Sequence, residues 1–561
     1  MADRNTTFVR TLMAALVASG VEQACIAPGS RNAPLSIALA DSKIHDWSHH
    51  DERSAAFFAL GIAKTTGRPV LVVTTSGTAA VEIYPALVEA SASQVPLIAL
   101  TADRPTDLYD VAAPQTIDQR DLFGRTVKWA HDLDVPDPAD FGPTGIAALG
   151  ARLVSESLGI PAGPVHLNIR FREPLIIEPH PVDEVAVPQV TRHRLIPDPQ
   201  VLPDLTASIS GRAGLIVAGP STDRSSSAAV ADLGAALGWP IMSDPISGLR
   251  SGGHSTESVV GSDLLAAAGW LTAAPPEAVV RVGAPPTSKA LRGWLGQNPQ
   301  IPQILIAPSG WPDPMASANV VLRSDITPAT AQLSEAASAP DDWLARWKHA
   351  DAVAASAAST AIQGTEFPSE PGVVAALSDA LPADSMLWAA SSMPIRDVDS
   401  FFPVSDQTVD IHGNRGANGI DGFVSTALGA ASAGRPTTSL VGDLSMLHDV
   451  GVLATAGRHP IPLTVVVVNN DGGGIFHFLP QEGHEHFERH FGTPHGLSFA
   501  PIATSFGVDS VVVDDRAGFS DAMSARTEGP RLIEIVTSRS ANLTTHRLIA
   551  DEVRAALASL Q

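Results

Sequence analysis

Cysteine is nearly absent from this chain of 561 residues, with Cys25 alone, so no internal disulfide framework exists and a reducing compartment suits it. Ala24 and Ile26 flank Cys25 and mark it as a buried strand thiol rather than a nucleophile. Positive charge is also scarce: 36 Lys and Arg stand against 59 Asp and Glu, a formal net charge of -23. That balance argues against nonspecific nucleic-acid binding. It also means that an anionic substrate has to be drawn in by a local cluster of arginines against the overall field. No run of eighteen apolar residues occurs, so no membrane span is expected and a cytoplasmic protein is. Thr11 to Gly20 could pass as the apolar core of a secretory signal. However, Asp3 and Asn5 precede it, and Phe8, Val9, Leu12, Leu16 and Val17 recur at helical spacing up to a stop at Gly20.

Glycine and proline, 45 each and evenly spread, fit many short loops. With 44% hydrophobic content the chain is too long for one core. Apolar runs alternate with stretches of helical period, the signature of an α/β protein with doubly wound parallel sheets. Strands are expected at Gln23–Ile26, Pro69–Thr74, Pro96–Thr101 and Pro164–Asn168. A second set falls at Gly214–Ala218, Ala278–Val282 and Gln303–Ala307, and a third at Ser385–Trp388, Thr438–Val441, Leu463–Val468 and Arg531–Val536. Trp343–Thr360 reads as a helix, and the proline-rich passage Glu173–Pro199 as a linker. Three domains are expected, at 1–180, 201–340 and 341–561, with a linker at 181–200.

Two motifs carry chemistry. Leu440-Val441-Gly442-Asp443-Leu444-Ser445 ends one apolar run, and Val465 to Val468 followed by Asn469-Asn470-Asp471-Gly472 ends the next. In a parallel sheet Asp443 and Asn470 share the carboxyl edge, where open α/β sheets bind ligands. A carboxylate, an amide oxygen and the Gly472 carbonyl suit magnesium, which wants hard oxygens and leaves other positions to phosphate and water. The plain alternative is a common Gly-Asp turn and a tight Asn-Asp-Gly loop. Upstream, Asp51-Glu52 opens a helix-period stretch that reaches Ala63. Its plain alternative is a charged first turn favoured by the helix dipole. The 391 positions between Glu52 and Asp443 assign the two motifs to separate domains.

More extended stretches sharpen this. They are Ala27-Pro28-Gly29-Ser30-Arg31-Asn32-Ala33-Pro34-Leu35, Asp51 to Phe57, Thr75-Ser76-Gly77-Thr78-Ala79, Thr101-Ala102-Asp103-Arg104-Pro105 and Asn414 to Gly422. Through them nearly the whole chain resembles the 2-succinyl-5-enolpyruvyl-6-hydroxy-3-cyclohexene-1-carboxylate synthases, thiamine diphosphate enzymes of menaquinone biosynthesis; the central part matches least. The resemblance implies pyrimidine-binding, central and diphosphate-binding domains in that order. It implies thiamine diphosphate with Mg2+ or Mn2+, decarboxylation of 2-oxoglutarate and addition of the resulting carbanion to isochorismate. Glu52 would favour the imino tautomer of the aminopyrimidine. Pro28, Thr78, Ser392, Ile420, Gly442, Leu444, Ser445, Ile475 and Phe476 would join Asp443, Asn470 and Gly472 around the cofactor. Ile420 would hold the cofactor bent, and Gly442, Leu444 and Ser445 would offer backbone donors to phosphate.

Both substrates of such an enzyme are dicarboxylates, for which the planar fork of arginine is the apt ligand. By the same resemblance Ser30, Arg31, Arg104, Gln115, Lys289, Ser392, Arg396, Arg415, Phe476 and Leu479 would line the substrate pocket. Lys289 departs from the pattern, because Ala290 follows where a second basic residue is usual; Asn418 stands where serine is common. A homodimer or homotetramer is implied, the pyrimidine domain of one subunit facing the diphosphate domain of another. The alternative in the same cofactor class is an acetolactate-synthase-type carboligase or 2-oxo-acid decarboxylase; outside it stand a noncatalytic binding protein and a zinc enzyme using His484, His486 and His490. The histidine spacing matches no common zinc pattern. Arg281 and Arg292 are candidates for a regulatory site, with surface solvation as their ordinary role.

Overall fold

The computed structural model describes residues 4–137, 142–179, 185–191, 193–221, 223–252, 257–525 and 528–560. Two compact units hold them: Met1–Arg192 with Asn414–Gly434 and Leu447–Pro462, and His193–Gly413 with Arg435–Met446 and Leu463–Gln561.

The first unit is built on six parallel strands: β1 (Gln23–Ile26), β2 (His45–Ser48), β3 (Val70–Thr74), β4 (Leu97–Asp103), β5 (Trp129–Leu133) and β6 (Val165–Arg170), in the order β2-β1-β3-β4-β6-β5. The second unit holds two more all-parallel sheets. One comprises β7 (Gly214–Ala218), β8 (Ile241–Ser243), β9 (Val259–Gly261), β10 (Ala278–Val282), β11 (Gln303–Ile306) and β12 (Val320–Leu322), ordered β12-β11-β10-β7-β8-β9. The other comprises β13 (Ser385–Ala389), β14 (Val409–His412), β15 (Thr437–Gly442), β16 (Leu463–Asn469), β17 (Asp509–Val513) and β18 (Arg531–Val536), ordered β14-β13-β15-β16-β18-β17. The first and third sheets therefore share one topology, with the order of winding reversing between β1 and β3 and between β13 and β15. Such reversal points open a crevice at the carboxyl edge, where ligands bind in open α/β sheets. The middle sheet reverses between β7 and β10. There the backbone closes in: a Cβ on Gly219 would lie 1.6 Å from the Ala284 carbonyl oxygen.

All eleven strands expected from apolar runs are present, with ends shifted by a residue or two. The seven that were not expected are β2, β5, β9, β12, β14 and β17, which are the six sheet edges, and the three-residue β8. Edges are short or half-solvated, as His45-Asp46-Trp47-Ser48 is, and so lack the apolar run that betrays a strand buried on both faces.

The signal-like stretch is part of a core helix, Arg4–Ala18, which buries Phe8, Val9, Leu12 and Leu16; Asp3 lies outside the described residues. Cys25 is buried in β1 as expected, and burial pushes its thiol up. Trp343–Gln363 is a helix as expected, sharing a core with Ile549, Val553 and Leu557 of the helix Arg539–Ala558. The expected linker shows no helix or strand among its described residues; 180–184 and 192 lie outside them. No helix among the described residues is long and apolar enough to cross a membrane.

Asp51 caps the helix Glu52–Thr66 by accepting from the Arg53 and Ser54 amides, and Gly67, at φ 67°, ends it. This helix lies directly against the helix Phe423–Ala431. A Cβ on Gly61 would stand 1.9 Å from the Thr426 carbonyl oxygen, and one on Gly429 2.0 Å from that of Phe58. Glycine is required at both because backbone meets backbone.

Candidate active site

In the second unit, β13, β15 and β16 deliver Ser392, Asp443 and Asn470 to the carboxyl edge beside the reversal point of their sheet. Asp443 is 2% exposed. Its Oδ2 accepts from the Gly472 amide at 2.8 Å and lies 3.2 Å from His495 Nε2, while Oδ1 accepts from the Leu444 amide at 2.6 Å. Because the Leu497 amide donates to His495 Nδ1 at 3.0 Å, neutral His495 carries its proton on Nε2 and donates to Asp443. Burial pushes the Asp443 carboxyl up, against the pull of the Gly472 and Leu444 amides and of His495.

Asn470 donates from Nδ2 to Glu370 Oε1 at 2.8 Å, whereas its Oδ1 is buried without a hydrogen-bond partner. Gly472 sits at φ 131°, and a Cβ there would meet the Gly492 carbonyl oxygen at 1.9 Å, so only glycine lets this loop close. A buried carboxylate short of a counter-ion and a buried amide oxygen without a donor are what a hard divalent cation would satisfy. The residues present fit magnesium or manganese. Of the helix-start donors, the Leu444 amide is bonded to Asp443 Oδ1.

Ser392 holds φ 75°, uncommon for a residue with a side chain, at the position just before the helix Met393–Phe401, without a side-chain bond to the helix amides. Its carbonyl accepts from Arg396 Nη1. Burial holds the Arg396 guanidinium below its ordinary range, and the neighbouring charge of Arg292 adds to that. Arg292 is therefore not a solvated surface residue; its Nη1 is held by the carbonyls of Pro286, at 2.5 Å, and Thr287, at 3.0 Å. Arg281 is buried in an ion pair with Asp313 at 2.8 Å and carries no exposed charge. Lys289 is exposed at the start of the helix Lys289–Gln297. Ile475 and Phe476 lie on the 3-10 turn Gly474–Phe478, with Leu479 next, and Phe476 packs on Phe491 at 5.5 Å. His484, His486 and His490 are exposed, and no group of three or more His, Cys, Asp or Glu among the described residues is placed to hold a metal.

In the first unit, the other expected residues follow the ends of β1, β2, β3 and β4 on the matching edge. Pro28, Ser30 and Arg31 follow β1, Glu52 follows β2, Thr78 follows β3 and Arg104 follows β4. Glu52 is half-buried, and burial pushes its carboxyl up, with the charges of Asp51 and Glu82 adding and its own amide opposing. Arg104 Nη1 donates to Ser76 Oγ, and Gln115 Nε2 donates to the Ser76 carbonyl at 3.1 Å. Burial and then the charge of Arg31 lower the Arg104 guanidinium, so the two arginines share a neighbourhood. Arg31 reaches the Phe171 carbonyl at 2.9 Å. Arg415 and Ile420 lie on a loop tied down by Glu89, which accepts from the amides of Gly416 at 3.0 Å and Ala417 at 2.7 Å.

Sequence reasoning missed Glu370, His495, Glu89 and Gln119. Gln119, fully buried, accepts from the Gly77 amide at 2.9 Å and donates to Asn168 Oδ1 at 2.9 Å, fastening the turn that carries Thr78. No local pattern announces any of the four.

Two family models match the chain: the thiamine pyrophosphate enzyme N-terminal TPP binding domain over residues 6–122, and the C-terminal TPP binding domain over residues 388–535. A 2-succinyl-5-enolpyruvyl-6-hydroxy-3-cyclohexene-1-carboxylate synthase of Geobacillus kaustophilus is 42% identical over 99% of this chain and 98% of its own. One of Chloroflexus aurantiacus is 41% identical over 99% and 97%. The chain belongs to this synthase family. It is thus a thiamine diphosphate-dependent enzyme of transferase type. A Haloarcula marismortui synthase is 40% identical over 95% of this chain and 95% of its own. The fold is also that of a solved Mycobacterium smegmatis structure described as a thiamin diphosphate-dependent enzyme, with TM-score 0.73 at 21% identity over 96% of this chain and 100% of that one.

Proposed function

We propose that the chain decarboxylates 2-oxoglutarate and joins the remaining four-carbon unit to isochorismate, giving the product for which its synthase relatives are named, and CO2. The observation that carries this reading is the pairing of Asp443 with the donorless amide oxygen of Asn470 at the reversal point of the third sheet. Asp443, Asn470 and the Gly472 carbonyl would hold Mg2+ or Mn2+, and Gly442, Ser445, Ser392, Ile420, Ile475 and Phe476 would contact thiamine diphosphate. Bound thiamine diphosphate supplies the electron sink for decarboxylation. Glu52, with Pro28 and Thr78, would hold the aminopyrimidine; its raised pKa suits a carboxyl that shares a proton with a ring nitrogen. Arg31, Arg104, Arg396 and Arg415, with Ser30, Gln115, Lys289, Ser392, Phe476 and Leu479, would take the substrate carboxylates. Burial lowers Arg104 and Arg396, and the neighbouring charges of Arg31 and Arg292 add to it; like charges held together favour an anion between them, which supports an anion-binding role.

The same reading divides the chain into a pyrimidine-binding domain at 1–180, a linker at 181–200, a central domain at 201–340 and a diphosphate-binding domain at 341–561. It makes the enzyme a cytoplasmic homodimer or homotetramer, Glu52 of one copy serving the Asp443 half of another. Mixing two inactive variants, E52Q and D443A, then restores part of the activity.

The deciding assay follows isochorismate loss by ultraviolet absorbance with thiamine diphosphate, Mg2+ and either 2-oxoglutarate or pyruvate. Loss with 2-oxoglutarate alone is expected. CO2 release from pyruvate without isochorismate loss would move the chain to the acetolactate-synthase type.

A further inference from the structure

Asn470 can serve a cation through one end only. Its Oδ1 is a ligand, whereas Nδ2 carries two protons and would repel a metal ion. Reversing the amide would therefore replace a magnesium ligand with a donor at almost no change in shape. Glu370 decides which end faces where. It opens the helix Glu370–Ala380, is 4% exposed, and its Oε1 accepts both Asn470 Nδ2 at 2.8 Å and Thr537 Oγ1 at 3.3 Å.

We propose that Glu370 is the positioning residue that turns the Asn470 amide oxygen toward the cation. The proposal rests on the reading of Asp443 and Asn470 as metal ligands. The contact of Asn470 Nδ2 with Glu370 Oε1 sets the amide in one orientation, and the buried Oδ1 is left without a donor because it is kept for the ion. The supports of this contact are rigid. The Thr537 amide donates to the Asn469 carbonyl at 2.8 Å, locking the end of β18 to that of β16. Ser369 Oγ accepts from the Gly372 amide at 3.2 Å and fixes the start of the Glu370 helix. Gly474 gives the amide room at its nitrogen end, since a Cβ there would stand 2.6 Å from Asn470 Nδ2. Ser369, not Glu370, caps this helix, and the Glu370 carboxyl is directed instead at Asn470 Nδ2, whose amide oxygen is unsatisfied.

The test is calorimetric titration of Mg2+ into chelator-treated protein with thiamine diphosphate present, at pH 8, for the unmodified chain, Asn470→Ala, Glu370→Met and Glu370→Gln, with the melting temperature of each metal-free form. Glu370→Met is expected to weaken Mg2+ binding about tenfold or more, the usual effect of losing a partner that orients a ligand. Saturating Mg2+ is expected to restore cofactor binding. Glu370→Gln keeps the volume but offers oxygen or nitrogen to Asn470, so a loss of about threefold is expected; this variant decides if Glu370→Met does not fold. Unchanged Mg2+ affinity in the Glu370 variants, with Asn470→Ala weakened, would overturn the positioning role and leave the magnesium site standing. Unchanged affinity in Asn470→Ala would remove the ligand reading and the proposal with it.

Discussion

Lys64 and Glu89 meet as a buried ion pair, Nζ to Oε1 at 3.0 Å with side chains 5% and 4% exposed, and this pair holds the loop that carries Arg415. Lys64 also donates to Asn414 Oδ1 at 3.0 Å, while Glu89 takes the next amides but one, those of Gly416 and Ala417. Lys64→Met leaves Glu89 charged and unpaired in the interior, which costs about 3–5 kcal/mol. Urea unfolding of the variant reads this directly. Because the Arg415 loop loses an anchor, KM for the dicarboxylate substrates is expected to rise more than kcat falls; an unchanged KM would show that the pair supports stability alone.

Glu52→Gln removes the carboxyl assigned to the aminopyrimidine while keeping its size. Turnover is expected to drop on the order of 10²-fold or more, which corresponds to several kcal/mol of transition-state stabilisation. Steady-state kcat with saturating cofactor is the measurement, and near-normal turnover would end the assignment.

Gly61→Ala places a methyl 1.9 Å from the Thr426 carbonyl oxygen, backbone that cannot yield like a side chain. Alanine favours helix by about 1 kcal/mol over glycine, yet overpacking at this crossing costs about 1–3 kcal/mol or more, so a net loss is expected. A melting temperature at or above that of the unmodified chain would mean the two helices are free to part.

Burial holds the His166 imidazole down at about 4, against about 6.5 when unfolded. Between those values the unfolded chain takes a proton that the native state refuses. This share of stability is therefore full above pH 6.5 and is lost as pH falls toward 4. From pH 7.5 to 5 the unmodified chain should lose about 2 kcal/mol relative to His166→Gln. Paired urea titrations of the two proteins check it, and parallel pH profiles would contradict it.

Chelation of the divalent cation is expected to release thiamine diphosphate, because Asp443 and Asn470 hold no positive charge of their own for a diphosphate. Equilibrium dialysis with and without chelator measures this. Retention of the cofactor without a metal would point to the arginines as its holders.

Reading by sequence succeeded where one segment carries its own signal. Val465 to Val468 is apolar on both faces, so β16 had to be an interior strand, and Asn470 had to fall at its carboxyl end. The Gly442-Asp443 end of β15 was legible in the same way. Edge strands such as His45–Ser48 were not, because a half-solvated strand obeys no apolar rule. Arg281 and Arg292 looked alike in sequence; one is buried against Asp313 and the other stands beside Arg396.

By itself, then, the amino-acid sequence determined the alternation of strands and helices, the interior strands of three sheets and the placement of Asp443 and Asn470 at two strand ends. Local hydrophobic period and composition act over a few residues and need no distant partner. Only the tertiary structure decided which end of Asn470 is free, through Glu370 one hundred positions away, and which loop Lys64 restrains, at Asn414 350 positions on. Hydrogen bonds and ion pairs form by proximity after the chain has folded, and sequence spacing carries no record of that proximity.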